Sequence, residues 1–155
     1  MCRSVADRRE GAVRALERAG LSPDDLHMIV TPALNVAAGQ RAGATLAELS
    51  AAQRPTAVFC ANDLLALGVL QEMTAQRIRV PEDISLIGYD DIDFAAAAAV
   101  PLSSVRQPRQ LLGRTAAQLL LDEALGEGVH QHRQVVFEPE LVVRRSSQAR
   151  PGPAG

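Results

Sequence analysis

The sequence contains no lysine and no tryptophan, and it has only one tyrosine and three phenylalanines in 155 residues. All 16 basic residues are therefore arginines, and they are scattered along the chain. A surface that wraps nucleic acid needs clustered positive charge to displace the counterions of the phosphates. With a net charge of −2, we expect this stretch to bind DNA poorly by itself.

Long apolar runs are also absent. No stretch reaches the roughly 18 to 20 apolar residues that a membrane helix needs. The first ten residues are charged throughout and lack the apolar segment of a secretory signal. We therefore expect a cytoplasmic protein without membrane contact. Of its two cysteines, Cys60 lies in an apolar run, and we expect a free buried thiol there.

Catalytic and metal-binding motifs are missing as well. The chain has no G-x-S-x-G, no H-E-x-x-H, no phosphate-binding loop and no G-x-G-x-x-G. His130 and His132 flank one glutamine, and two histidines alone do not make a metal site. We expect a protein that is not an enzyme and that needs neither a metal nor a cofactor.

Two apolar runs end in polar residues, and the rest of the chain is organised around them. Residues 84–89 follow a proline turn and lead directly into Asp90 and Asp91, while residues 56–61 lead into Asn62 and Asp63. Such short runs are typical of buried parallel strands. Because ligands of open α/β sheets bind beyond the carboxyl ends of the strands, we expect a binding site at this edge.

The periodicity along the chain predicts an α/β fold, a three-layer doubly wound parallel sheet with helices on both faces. Helices are expected at 4–19, 38–50, 63–76 and 108–125, and sheet strands near 28–30, 57–61, 84–89 and 103–106. Further short strands are expected at 135–137 and 141–143, and the alanine-rich run 95–100 favours a helix that Pro101 ends. The Pro- and Gly-rich tail 148–155 is expected to be disordered.

The helix at 63–76 is apolar nearly all round its axis. A helix of this kind has to be covered on two sides. One side would pack on the sheet, and the other needs either a further layer of the same chain or a partner subunit.

Several polar residues have two interpretations. Either Asn62 or Asp63 is expected to cap the helix that follows, which leaves the other free to face a ligand. Asp90, Asp91 and Asp93 form either a solvated turn or a group that accepts from ligand hydroxyls. Their spacing lacks the glycine-centred, oxygen-rich loop that binds calcium.

Four runs resemble the lactose/galactose-repressor (LacI/GalR) family of bacterial transcription regulators: "RPTAVFCANDLLALGVL", "RVPEDISLIGYDDIDFA", "PLSSVRQPRQLLGRTAAQLLL" and "LVVRRSS". The resemblance covers residues 4 to 147 and corresponds to the effector-binding domain, which has the type I periplasmic-binding-protein fold. It implies a second lobe at about 1–106 and 133–147, and a partial return into the first lobe at about 108–130. We expect a fragment or a truncated product, in which the returning helix lacks its native sheet.

The resemblance also implies a function. It implies a homodimer that senses a small effector, a sugar or a nucleoside- or purine-like molecule, and that contacts operator DNA only through an absent amino-terminal helix-turn-helix. The implied effector contacts are Arg8, Asn62, Asp90 and Gln107, and the implied dimer contacts are Leu67, Leu70 and Ala97. A periplasmic sugar-binding protein of an uptake system remains the alternative.

Two positions depart from the family pattern. Ala12 follows Gly11 where relatives commonly have an aromatic residue, and Leu34 stands near a position where they often carry an aromatic that stacks on the ligand. Sugar pockets usually offer aromatic faces. Because aromatic residues are scarce in this sequence, the class of effector stays open.

Overall fold

The computed structural model describes residues 3–125 and 133–148. It contains five α-helices and four strands, which alternate for most of the chain. In chain order they are α1 (Arg3–Arg18), α2 (Val36–Glu48), β1 (Ala57–Phe59), α3 (Asp63–Ala75), β2 (Ser85–Tyr89), α4 (Asp93–Ala97), β3 (Ser103–Arg106), α5 (Arg109–Leu125) and β4 (Glu140–Val142). A single 3₁₀ turn, Pro23–Asp25, links α1 to the segment before α2.

The sheet has the order β1-β2-β3-β4. The first three strands are parallel, with Phe59 opposite Ile87 and Tyr89 opposite Val105. The fourth strand, β4, runs antiparallel to β3. The predicted α/β fold is confirmed, with the difference that the sheet is mixed rather than wholly parallel.

Two predicted strands are not formed. Residues 28–30 have no strand assignment, no backbone hydrogen bond ties them to a neighbour in the described part of the chain, and Val30 is 80% exposed. Residues 135–137 likewise have no strand assignment. An apolar run becomes a strand only when another strand pairs with its backbone groups, and none of the described residues does so here.

The sheet lies between layers of helices. The α1 helix lies over the face that presents Phe59 and Tyr89, while α3 packs against the opposite face and α2 packs on α3. The two helices approach closely because glycines line their contact. A Cβ added to Gly68 would collide with the carbonyl oxygen of Val36, and one added to Gly43 would come within 2.8 Å of the Cβ of Glu72.

This close packing corrects one prediction. Most of the apolar surface of α3 is covered within the chain, by the sheet on one side and by α2 on the other, while Leu64 and Leu67 stay partly exposed. Leu70 is only 4% exposed and belongs to the core, so it is not available as a dimer contact. Leu67 is half-buried and Ala97 is exposed, so both are accessible to a partner.

The α5 helix is an exposed element. None of its residues is buried, and Leu120 and Leu125 are 69% and 77% exposed. Residues 126–130 of the predicted return and residues 149–155 of the predicted tail lie outside the described part of the chain.

In the part of the chain that the structure describes, none of the helices has the combination of length and apolar character that spanning a bilayer requires.

Candidate functional site

The carboxyl edge of the sheet begins with Asn62, which directly precedes α3. Its backbone is extended, and its Oδ1 accepts from the N–H of Leu65 over 3.0 Å, so Asn62 is the cap of the helix. Its Nδ2 donates to the carbonyl oxygen of Leu34 over 3.1 Å. The side chain therefore has two structural bonds, and one amide hydrogen and one lone pair remain for another partner.

Arg8 reaches the same edge from α1. Its Nη1 donates to the carbonyl oxygen of Ala61 over 2.9 Å, and its Cζ lies 3.7 Å from the centroid of the Tyr89 ring. A guanidinium that stacks on an aromatic face is held by a cation–π interaction. The ring therefore holds the guanidinium between the ends of β1 and β2. Arg8 is one of the predicted effector contacts, whereas its stacking on Tyr89, which directly precedes Asp90, was not predicted from the sequence.

Asp90 follows β2 and has a backbone φ of 106°. This is a left-handed conformation that residues with a side chain rarely adopt. Its Oδ1 accepts from Nε2 of Gln107 over 2.7 Å, and its backbone N–H donates to the carbonyl oxygen of Val105. Two of the four predicted effector contacts therefore touch each other, one on the loop after β2 and one on the segment that leads into α5.

Asp91 is a structural residue. It also has a positive φ, of 51°, and it is only 8% exposed. Its Oδ2 accepts from Nε of Arg106 over 2.6 Å, and Nη2 of Arg144 lies 2.7 Å from its Oδ1. Burial opposes ionisation of this carboxyl, but the two guanidinium groups outweigh it and lower its pKa below the ordinary value.

Asp63 is also buried, at 1% exposure, and both of its oxygens are engaged. Its Oδ1 accepts from the hydroxyl of Ser104 over 2.6 Å, and its Oδ2 accepts from the backbone N–H of Ile92 over 2.9 Å. Burial raises the pKa of this carboxyl, and the two hydrogen bonds offset part of that rise. Gly88 makes room, because a Cβ there would collide with Oδ1 of Asp63.

The structure thus brings Arg8, Asn62, Asp90 and Gln107 to one edge of the sheet. It divides the acidic group, because Asp91 is buried and ion-paired whereas Asp93 is exposed in the first turn of α4. Leu34 lies at the same edge, bound through its carbonyl oxygen to Asn62. The arrangement offers guanidinium donors, a carboxylate acceptor and two amides, a set that suits a ligand with hydroxyl or ring-nitrogen groups.

The remaining reactive groups do not extend the site. Cys60 is a free, buried thiol, and burial raises its pKa to about 12. The described residues contain no group of three or more side chains that could hold a metal ion. His130 and His132 lie outside the described part of the chain.

The family model of the periplasmic binding protein-like domain matches residues 2–147. The chain is also similar to the HTH-type transcriptional repressor CytR of Escherichia coli K12, with 40% identity over 144 residues. That match covers 93% of this chain and 41% of CytR. The chain therefore spans about two fifths of the length of this relative.

Two solved structures are similar in fold and sequence. The complex of the transcriptional regulator CelR with cellobiose matches with a TM-score of 0.80 and 36% identity, covering 92% of this chain and 42% of CelR. A LacI-family transcriptional regulator of Lactobacillus casei with bound sucrose matches with a TM-score of 0.70 and 32% identity, covering 89% of this chain and 50% of that one.

Proposed function

Because the chain belongs to the LacI/GalR family of bacterial transcription regulators, we propose that it is the effector-sensing portion of such a regulator. In this proposal a small molecule binds at the carboxyl edge of the sheet and changes the affinity of the whole protein for its operator DNA. The DNA contact belongs to a helix-turn-helix outside these 155 residues.

The observation that carries the proposal is the convergence of four polar side chains on that edge. Arg8 is held there by Tyr89, and Asp90 is held by Gln107. Asn62 has an amide hydrogen left after its bonds to Leu65 and Leu34. We infer that Asp90 accepts from ligand hydroxyls, that Arg8 donates to a ligand oxygen or ring nitrogen, and that the two amides complete the contacts.

The class of effector follows from the same groups. One carboxylate, one guanidinium and two amides match a sugar or a nucleoside-like molecule, both of which present closely spaced donors and acceptors. CelR is solved with cellobiose and the L. casei regulator with sucrose, which supports a polar ligand of this size. The alternative of a periplasmic uptake protein has less support, since CytR and CelR regulate transcription.

We further propose that the protein works in the cytoplasm, where operator DNA is found, and that it acts by binding rather than by catalysis. The similar proteins are transcriptional regulators rather than enzymes. We also propose a homodimer whose contact includes Leu67 and Ala97, which are accessible in the chain, whereas Leu70 is not.

The proposal is tested with the intact regulator and DNA from upstream of its own gene. Fluorescence anisotropy of the labelled DNA is measured with and without each member of a panel of sugars and nucleosides. The panel consists of adenosine, cytidine, glucose, sucrose and cellobiose. We expect one of these classes to change the DNA affinity by at least about fivefold, in the usual range for coupling between two sites. If no ligand that binds the protein changes its DNA affinity, the regulatory function is wrong.

A further inference from the structure

We propose that Asp63 and Ser104 form a clamp that positions Asp90 for effector binding, although neither residue reaches the effector. The clamp is a chain of buried hydrogen bonds between the start of α3, strand β3 and the loop of residues 90–92. Its effect on effector affinity rests on the proposed function, while its effect on the loop does not.

The loop needs external bonds because of its conformation. Asp90 and Asp91 have φ values of 106° and 51° in succession. Residues with a side chain adopt positive φ less readily than glycine does, and two in succession persist only when the surroundings hold them. The geometry therefore requires groups that fix the backbone on both sides of Asp90.

Each amide of the loop has a defined partner. The N–H of Asp90 donates to the carbonyl oxygen of Val105, and the N–H of Asp91 donates to Oγ of Ser104 over 3.0 Å. The N–H of Ile92 donates to Oδ2 of Asp63 over 2.9 Å. The last two bonds are joined, because the hydroxyl of Ser104 donates to Oδ1 of Asp63 over 2.6 Å.

The position of Asp63 in the chain links the clamp to a second proposed effector contact. It directly follows Asn62, whose side chain caps α3 and reaches Leu34. The carboxylate of Asp63 therefore ties the loop that carries Asp90 to the start of α3, next to Asn62. The connection passes across the end of β2. Gly88 lets the carboxylate cross there, because any side chain at that position would collide with it.

A buried carboxylate destabilises a protein unless hydrogen bonds or a nearby cation compensate for the loss of its hydration. Asp63 is 1% exposed, and no cation is bonded to it among the described residues. An apolar side chain could fill the same space but could not accept from the N–H of Ile92 and from Ser104. The clamp explains why a carboxylate stands there.

The test compares two serines that are equally buried. Ser104 and Ser146 are both 0% exposed, and each hydroxyl makes two buried hydrogen bonds. The bonds of Ser146 go to Ser103 and to the carbonyl oxygen of Leu86, away from the loop. Ser104→Ala, Asp63→Asn and the control Ser146→Ala are prepared in the intact protein, and amide hydrogen exchange is followed in the peptide that contains residues 90–92.

We expect Ser104→Ala and Ser146→Ala to lower the urea midpoint of unfolding by similar amounts. Only Ser104→Ala and Asp63→Asn should accelerate exchange in the loop, by roughly tenfold or more, because a buried donor loses its partner. The affinity for the panel sugar or nucleoside that binds the wild-type protein should fall by about tenfold in the same two variants and remain unchanged in Ser146→Ala.

Equal loop exchange in Ser104→Ala and Ser146→Ala would overturn the clamp. Faster loop exchange with an unchanged effector affinity would overturn its positioning role. If no panel molecule binds the wild-type protein, the proposed function fails instead, and the exchange rates still decide whether the clamp exists.

Discussion

Nε2 of Gln107 donates to Oδ1 of Asp90 over 2.7 Å, which joins the loop after β2 to the segment that leads into α5. Any effector that takes the carboxylate of Asp90 as an acceptor must share it with this amide or displace it. A ligand shifts a conformational equilibrium only through its unequal affinity for the two states. In the proposed site, this bond would therefore connect effector binding to the segment that leads into α5.

Asn62 should contribute both to stability and to binding. Asn62→Ala removes the cap of α3, which costs about 1 kcal/mol, and it also leaves the carbonyl oxygen of Leu34 without its amide partner. We expect the free energy of unfolding in urea to fall by about 1–2 kcal/mol. Effector affinity should fall by a further factor of about ten.

A matched control for this change is Asn35→Ala. Asn35 caps α2 in the same way, accepting from the N–H of Ala38 over 2.9 Å. We expect it to lower the stability by about 1 kcal/mol while the effector titration stays at the wild-type value. Equal losses of effector affinity in both variants would mean that Asn62 acts through α3 rather than through a contact.

The close packing of α2 on α3 depends on Gly68. Gly68→Ala would push a methyl group into the carbonyl oxygen of Val36, and such overpacking typically costs about 1–3 kcal/mol. Gly113 in α5 has nothing within 4 Å of the corresponding position. Gly113→Ala should therefore stabilise the chain by up to about 1 kcal/mol through helix propensity. Urea unfolding followed by circular dichroism measures the free energy of unfolding of both variants. If the two substitutions destabilise the protein equally, the close packing of α2 on α3 at Gly68 is wrong.

Leu67 and Leu70 of α3 should respond differently to replacement by glutamate. Leu67→Glu places a carboxylate on an accessible surface, so we expect the intact protein to stay folded and to sediment as a monomer at micromolar concentration. Leu70→Glu places it in the core, where an unpaired charge costs several kcal/mol, so we expect unfolding. If Leu67→Glu remains dimeric, Leu67 is not part of the subunit contact.

Asp91 should make stability depend on pH. Because its pKa is lower in the folded state, the ionised group stabilises the fold above its ordinary pKa of 3.8, and the contribution disappears as the pH falls through the lower folded value. We expect Asp91→Asn to be less stable than wild type at neutral pH, with a difference that shrinks towards zero in acid. A difference for Asp91→Asn that stays constant across this pH range would contradict the ion-pair explanation.

The parts of the fold that were predictable are those determined by local pattern. The bounds of β3 agree with the prediction, and α1 and α3 lie within one residue of it, because apolar periodicity and capping residues are readable in sequence. Residues 28–30 have an apolar pattern but no partner strand in the described chain, and a single sequence does not show pairing. The apolar pattern of α3 indicated that two of its sides are covered. It did not show that α2 covers one of them, through a close contact lined by glycines.

The positions of the site residues were predictable in outline, but the buried residues that hold them in place were not. Strand ends pointed to Asn62 and Asp90, since parallel strands bring their carboxyl ends to one edge. The roles of Asp63 and Ser104 depend on a contact between residues 41 positions apart, which no local pattern reports. One signal was present, because Gly88 leaves room beside a strand that otherwise consists of larger residues.

The most direct test of effector binding at this edge is the titration of the intact protein, by isothermal calorimetry, with the panel sugar or nucleoside that binds it. Asp90→Asn keeps the size of the side chain and tolerates the positive φ, but it removes the charge that is proposed to accept from ligand hydroxyls. Asp93→Asn, on the same acidic stretch but exposed, is the control. We expect Asp90→Asn to bind at least about tenfold more weakly, the cost of an unpaired polar group, with Asp93→Asn unchanged. Equal affinities of wild type and Asp90→Asn would show that the effector binds elsewhere.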